Sequence, residues 1–180
     1  MHEATPLVTA EELERRPDLR CELVEGRLVE VSPVGPEHGR VVVRLAALLH
    51  LHLRGRRLGL IGTEIGFKLA SNPDTVRGPD LAFIRQDRLP SLRRRGFVDG
   101  PPDLAIEVLS PEARPSELRR KTEEYLTGGV PLVVIVDPDE RTVTLHPRGA
   151  PATTLRTPDE VLDLSLVIDG FRCRLEEIFE

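Results

Sequence analysis

The chain has 180 residues, of which 39% are hydrophobic and 31% are charged, and its formal net charge is −5. This length suits one domain with a sizeable core, and the composition is that of a soluble globular protein. The negative charge argues against a protein that binds nucleic acid through unspecific phosphate contacts over its whole surface. We therefore predict a single domain over residues 1–180, with any contact to nucleic acid confined to a local patch.

Membrane and secretory signals are not evident in the sequence. No apolar run approaches the roughly 20 residues that span a bilayer. The N-terminus is acidic and has no apolar stretch of signal-peptide type. We expect a cytoplasmic protein without membrane contact, in which Cys21 and Cys173 are free thiols.

The first forty residues predict a short helix and then a β-hairpin. Residues 9–16 place a threonine before acidic residues, which is the pattern of an N-cap and a first helical turn. Residues 21–33 hold two apolar runs on either side of Glu25 and Gly26, a pair that suits a tight turn. An N-terminal hairpin therefore precedes the rest of the fold.

The strongest helix signal begins near Pro36 and ends at Gly55, with apolar residues at helical spacing between them. That spacing places His38 on the apolar side of the helix, with Val41 and Leu45. A lone histidine on an apolar face is more often a hydrogen-bonded core residue than a ligand. Its role stays open at this point.

The middle of the chain predicts strands at 60–70, 79–84 and 102–110, with an irregular loop between the second and the third. A helix over 116–127 follows, with Ser116 as its cap and a Gly-Gly pair as its end. The apolar run 131–138 is typical of a strand buried on both faces. Residues 141–147 should pair back with it, and the tail ends in a short helix or turn. This order of elements favours an α/β sandwich around a mixed sheet.

Two carboxylates interrupt apolar strands. Asp80 opens the strand at 79–84, and Glu107 stands in the middle of the strand at 102–110. Burying a carboxylate is costly unless it is paired or bound to a metal. If the two strands pair, these side chains could converge and form an oxygen site of the kind that Mg²⁺ or Mn²⁺ occupies. The alternative is structural: Glu107 pairs with a buried arginine, and Asp80 caps a turn.

Lys121 is one of only two lysines in the chain. Its position on the predicted helix is close to Leu118 and Tyr125, on the side that should face the sheet. An inward lysine near two carboxylates could orient water or neutralise charge on a phosphate. The alternative is a surface ion pair with Glu117, which precedes it by four residues.

Other candidates carry less information. Glu22, Glu25 and His38 could extend the site as ligand, general base or phosphate contact. The remaining histidines lack the spacing of a zinc site, and no P-loop, GxGxxG or GxSxG motif occurs. Two arginine-rich stretches are either DNA contacts or solvated surface, with neither interpretation preferred: Arg85, Arg88, Arg93, Arg94 and Arg95, and Arg54, Arg56 and Arg57.

Several of these segments together resemble a widespread bacterial family described as putative restriction endonucleases, also known by a domain-of-unknown-function tag. The matching segments are ELVEG at 22–26, His38, PDL at 79–81, PDLAIEVLSP at 102–111, Lys121 with Tyr125, and VVIVDP at 133–138. The family is placed in the PD-(D/E)XK nuclease superfamily. The resemblance implies a core of helix, three strands, helix and strand, which agrees with the order derived above.

The resemblance also implies roles for individual residues. Pro79 and Asp80 resemble the first half of the superfamily motif, and Glu107 resembles the acidic residue of the second half. The motif's lysine would stand two residues later, where this chain has Leu109. The resemblance suggests that Lys121 has taken that part from the neighbouring helix, and that Glu22 is an additional acidic residue of the site.

The leading hypothesis is an endonuclease that hydrolyses phosphodiester bonds in DNA with Mg²⁺ or Mn²⁺. Asp80 and Glu107 would hold the metal, Lys121 would position the nucleophile, and the arginine-rich loop would contact the DNA backbone. The alternative is a catalytically inactive protein with the nuclease fold that acts as a binding or assembly module. By analogy with other nucleases, we also expect a homodimer.

Overall fold

A computed structural model of the protein describes residues 6–180. The helices of these residues are Ala10–Glu14 (α1), Pro36–Leu53 (α2), Pro115–Thr127 (α3) and Leu175–Phe179 (α4). The strands are Cys21–Val24 (β1), Arg27–Glu30 (β2), Gly59–Gly62 (β3), Phe67–Ala70 (β4), Thr75–Arg77 (β5), Leu81–Arg85 (β6), Val98–Asp99 (β7), Leu104–Val108 (β8), Leu132–Asp137 (β9), Thr142–Pro147 (β10), Thr153–Leu155 (β11), Val161–Asp163 (β12) and Arg172–Arg174 (β13). A short 3-10 helix, Gln86–Ser91, follows β6.

The central sheet has the strand order β11-β10-β9-β8-β6-β3. Strands β8 and β9 are parallel because α3 connects them, whereas the other neighbouring pairs in this sheet are antiparallel. The predicted alternation on β8 is confirmed: Leu104 and Ile106 belong to the core packed against α2, and Ala105 packs with Tyr125 of α3. The sheet therefore lies between these two helices, as the apolar pattern predicted.

A second sheet, with the order β2-β1-β5-β4-β7, is built around the N-terminal hairpin. The hairpin turn places Glu25 at φ 48° and Gly26 at φ 73°. Two successive positive φ angles are what a two-residue turn needs to match the twist of its strands. The predicted hairpin is confirmed, and so is the short helix after Thr9, whose hydroxyl caps α1.

The predicted strand over 60–70 is wrong as a single element. Residues 59–62 form β3 at the edge of the central sheet, and residues 67–70 form β4 in the second sheet. Glu64, at φ 56°, lies in the connection between them. The apolar side chains continue on both sides of this bend, so the sequence pattern hides it. The predicted turn after residue 70 also contains a strand, β5.

The predicted cap of α3 is also wrong. The helix begins at Pro115, and its N-cap is Arg114, whose side chain makes no capping hydrogen bond. Proline suits the first helical position because its missing N–H would have no partner there. The Gly-Gly end of the helix is confirmed, since Gly128 is its C-cap and Gly129 follows at φ 105°.

The C-terminal segment completes the core that packs against the buried side of α2. Its apolar side chains, among them Leu162, Ile168 and Phe171, join the cluster that includes Leu45 and Leu49 of α2. None of the helices formed by residues 6–180 is long and apolar enough to cross a membrane.

Candidate active site

Asp80 and Glu107 meet at one end of the β6–β8 strand pair. The register pairs Leu81 with Ile106, so that the next positions outward on the antiparallel strands are Asp80 and Glu107. Asp80 Oδ2 accepts a hydrogen bond from the Val108 N–H at 2.7 Å. The pairing that the sequence argument required is therefore present, and it brings the two carboxylates together.

Glu107 is buried and held by two side chains of α3. Its Oε1 accepts a hydrogen bond from the Tyr125 hydroxyl at 2.7 Å, and both carboxylate oxygens lie 2.9 Å from Lys121 Nζ. Burial, together with the nearby Asp80 and Glu22 carboxylates, raises the pKa of Glu107 to about 7, although Lys121 and Tyr125 act against this rise. Burial is the largest cause of this rise, so the ionised form of Glu107 is disfavoured in spite of its two hydrogen-bond donors.

Lys121 points into the fold and not toward Glu117. Its ammonium lies between Glu107 and Glu22, whose Oε1 is 3.2 Å away. Glu117 instead lies 3.7 Å from Arg114. Burial lowers the pKa of Lys121, but the two carboxylates outweigh burial, and the pKa is raised above its ordinary value. The ammonium therefore stays charged at neutral pH.

Glu22 links the hairpin to the segment that leads into β6. Its Oε1 accepts a hydrogen bond from the Gly78 N–H at 2.9 Å, and its Oε2 accepts one from Arg77. Burial alone would raise the pKa of this carboxyl, but Lys121 and Arg77 hold it below its ordinary value. Glu22 therefore stays ionised beside Lys121.

His38 reaches the same site from the N-terminal turn of α2. It is 7% exposed, and its Nε2 lies 3.2 Å from Asp80 Oδ1. The hydrogen bond to Asp80 raises the pKa of His38, burial opposes the rise, and the charges of Asp80 and Glu107 add to it. The sequence placed His38 on the buried side of the helix, and the structure gives it Asp80 as a partner.

The charges of the site are shared among several ion pairs. Its carboxylates are Asp80, Glu107, Glu22 and Glu124, and the cationic groups that contact them are Lys121, Arg77, Arg120 and, where it is protonated, His38. Asp80 contacts His38, Glu107 contacts the Lys121 that Glu22 shares, and burial disfavours the ionised form of Glu107. A divalent cation would favour that ionised form, so this donor set fits such an ion.

The lone pairs of Asp80 and Glu107 that accept no hydrogen bond determine how many bonds these carboxylates could form to a metal ion. A carboxylate has about four lone-pair positions; Asp80 uses two of them, on His38 and Val108, and Glu107 uses three. Within residues 6–180, no group of three or more histidine, cysteine, aspartate and glutamate side chains is arranged to hold a metal ion. Further ligands would therefore be carbonyl groups, water or substrate oxygens, as Mg²⁺ commonly has.

Two residues of this cluster were missed in the sequence. Arg77 is 3% exposed and lies between Glu22 and Glu124, a side chain of α3. Arg77 falls in the segment that we predicted as a turn, which is why its burial was not foreseen. Glu124 carried one available signal, since it stands three residues after Lys121 and shares the same side of the helix.

Other candidates lie elsewhere. Glu25 is exposed in the hairpin turn. Arg85 and Arg88 pair with Asp103 at the opposite end of β6, about 17 Å from Asp80 along the strand. Arg93 lies near Glu14 and Asp99. Much of the arginine-rich loop is thus paired with acidic side chains, away from the two central carboxylates.

Comparison with known proteins places the fold. The model of the Uma2 family, described as "Putative restriction endonuclease", matches residues 8–176. A solved structure of a putative nuclease belonging to DUF820 from Anabaena variabilis ATCC 29413 is similar, with a TM-score of 0.82 and 18% sequence identity. The match covers 96% of this chain and 97% of that one. No curated protein matches the chain significantly. The predicted restriction-endonuclease-like core is confirmed.

Proposed function

We propose that this chain, which belongs to the Uma2 family, is a divalent-metal-dependent endonuclease that hydrolyses phosphodiester bonds in DNA. The observation that carries the proposal is the convergence of Asp80 and Glu107 from neighbouring strands, beside the ammonium of Lys121. The raised pKa of the buried Glu107 carboxyl supports it as well. Groups with perturbed pKa values that lie together at the end of a strand pair are a common mark of a functional site.

In this proposal, Asp80 and Glu107 hold Mg²⁺ or Mn²⁺. Such an ion, when bound, would lower the pKa of a water molecule and neutralise charge on the scissile phosphate. His38 orients Asp80 through its 3.2 Å contact, and Tyr125 fixes one oxygen of Glu107. Partners of this kind, behind the ligands, commonly determine how well a metal is held.

Lys121 supplies a fixed positive charge beside the metal ligands. Its raised pKa excludes a role as general base at neutral pH, because the amine does not release its proton there. As a donor it can orient a water nucleophile or stabilise the negative charge that develops on a phosphate. Glu22 supports this role, because it is a second carboxylate in contact with the ammonium.

In this proposal, Lys121 replaces the lysine that the superfamily motif has two residues after the acidic residue. Leu109, at the position of the usual lysine, packs with the apolar side chains next to Tyr125. Lys121 comes from α3 and contacts the same carboxylate that a lysine two residues after Glu107 would flank. The amine is thus present near the carboxylate although the sequence spacing of the motif is not.

DNA is the proposed substrate, and its contacts follow from where positive side chains lie. Arg119 and Arg120 are exposed on α3, the helix that carries Lys121. We assign the backbone contacts nearest the site to this helix. The arginine-rich loop, with exposed Arg94 and Arg95, would contact a more distant part of the duplex. A homodimer stays a prediction from analogy.

The test is cleavage of plasmid and single-stranded DNA by purified protein in Mg²⁺, in Mn²⁺ and in EDTA. We expect metal-dependent cleavage that the Glu107→Ala variant loses, together with its Mn²⁺ binding in calorimetry. Glu117→Ala is the matched control, because it removes an exposed carboxylate from α3 and should change neither measurement. Unchanged Mn²⁺ affinity in Glu107→Ala would refute the site. Absence of cleavage under every condition would favour the binding-module alternative.

A further inference from the structure

Arg77 and Glu124 form an ion pair next to the proposed site, in which Arg77 is buried and Glu124 is partly exposed. Arg77 Nε donates to Glu124 Oε2 at 2.7 Å, and Arg77 Nη1 donates to Glu22 Oε2. The connection joins three elements, because Glu22 belongs to β1, Arg77 to β5 and Glu124 to α3. Arg77 is 3% exposed, whereas Glu22 and Glu124 are 11% and 21% exposed, so water screens the two ion pairs less than it would at the surface.

Arg77 is linked to Lys121 in two ways. Through Glu22, it reaches the ammonium, which lies 3.2 Å from Glu22 Oε1. Through the helix, it reaches the backbone of Lys121, because Glu124 stands three residues further along α3 on the same side. Arg77 therefore constrains both the partner of the ammonium and the rotation of the helix that carries it.

We infer that Arg77 and Glu124 are positioning residues that set where the Lys121 ammonium lies between Glu22 and Glu107. Neither residue is assigned a contact with substrate. The inference deepens the proposed function and rests on it for its catalytic consequence. Its structural part, the placement of the Lys121 side chain, can be measured without any activity.

Physical chemistry favours positioning over simple stabilisation. A lysine side chain is a flexible stem of four carbons that ends in a compact charge, so the position of its ammonium depends on the groups around it. A guanidinium has donors in a rigid planar fork, which suits one side chain that must hold two carboxylates in fixed directions. Buried ion pairs, in contrast, often stabilise a fold little relative to apolar residues of similar size.

The chain allows a direct measurement, because Lys68 and Lys121 are its only lysines. With ¹³C-labelled lysine, the two Hε protons of each residue report whether the side chain is fixed: a fixed side chain gives separate shifts and a mobile one gives a common shift. Lys68, which contacts Asp74 and Glu11, is the internal reference. We expect separate Lys121 shifts in the native protein, and their collapse in Arg77→Met and in Glu124→Gln.

The controls separate positioning from general damage. Glu123→Gln changes the exposed neighbour of Glu124 and should leave both lysine signals in place. Should Arg77→Met fail to fold, Glu124→Gln decides, since it keeps the size of the side chain. Unchanged Lys121 shifts in folded Glu124→Gln would overturn the inference.

Kinetic measurements test whether the placement of the Lys121 ammonium matters for cleavage. We expect Glu124→Gln to lower kcat about tenfold or more while KM for DNA stays within about twofold. Mn²⁺ affinity should be unchanged, since Asp80 and Glu107 are intact. A lower melting temperature with native kcat and native Lys121 shifts would mean that the pair only stabilises the fold. If the native protein cleaves nothing, the proposed function fails, and the lysine spectra still decide the inference.

Discussion

The two ends of the β6–β8 strand pair each bury a carboxylate, and they differ in how the charge is met. At one end, Asp103 accepts hydrogen bonds from the Arg85 N–H and from Arg88 Nη1, both at 2.9 Å. At the other end, Glu107 shares Lys121 with Glu22 and lies beside Asp80. Asp103 thus has the Arg88 guanidinium and the Arg85 N–H as donors, whereas Glu107 shares the Lys121 ammonium with Glu22.

The difference separates a structural carboxylate from one to which the proposed function assigns a metal. Asp103 joins the end of β6 to the 3-10 helix that follows it, and its arginines satisfy it. At the Glu107 end two carboxylates lie side by side, and burial together with the neighbouring carboxylates disfavours the ionised form of Glu107. In the proposed function, a divalent cation held by Asp80 and Glu107 would favour that ionised form.

The largest difference between the two ends should appear when the cation at each end is removed in turn. We expect Lys121→Met to lower the cleavage rate about 100-fold or more, because it deletes a donor aimed at developing charge. Mn²⁺ affinity should not fall, since both metal ligands stay and their surroundings become more negative. Arg88→Met at the other end should keep the cleavage rate and lower the free energy of unfolding by about 1–3 kcal/mol. Equal losses of cleavage in both variants would break the comparison.

The next largest effect concerns how the free energy of unfolding depends on pH in the presence of EDTA. The folded protein binds a proton at Glu107 up to about pH 7, whereas the ordinary value is 4.5. Between these values the free energy of unfolding should fall as pH rises, by at most about 1.4 kcal/mol per pH unit. Glu107→Gln should remove that fall, which denaturant titrations from pH 4.5 to 7 would detect.

Two groups mark the limits of this measurement. The pKa of His38 is also raised, so its contribution has the same sign and is lost only above its ordinary value of 6.5. The pKa of Glu22 is lowered, so its contribution is lost below 4.5. A profile in Glu107→Gln that keeps the native slope between pH 4.5 and 6.5 would contradict the assignment of this pH dependence to Glu107.

The smallest effect should come from Asp103→Asn. The amide oxygen can still accept the Arg85 N–H, so the loss is the charge that faced Arg88. We expect the free energy of unfolding to fall by about 1 kcal/mol and cleavage to stay at the native rate. Thermal unfolding and the plasmid assay measure the two. A cleavage defect would show that the far end of the strands also serves the site.

Much of the cluster was visible in the sequence because single residues broke a local rule. Asp80 and Glu107 stand out as charges in apolar strands, and Lys121 stands out as a rare lysine on the apolar side of a helix. Their convergence followed once the two strands were taken to pair. Arg77 gave no such signal, because residues 71–78 contain turn-forming residues and the short strand β5 within them was not recognised.

The sequence by itself determined the elements that have a clear apolar pattern, which are α2, α3, β8 and β9. These elements also determined the order of the layers around the central sheet. These patterns are local, since each is fixed by which side of an element is apolar. The tertiary structure alone decided that residues 59–62 and 67–70 join different sheets, and that Arg77 stands between Glu22 and Glu124. Such contacts join residues about fifty positions apart, and no local pattern encodes the partner of a charge at that separation.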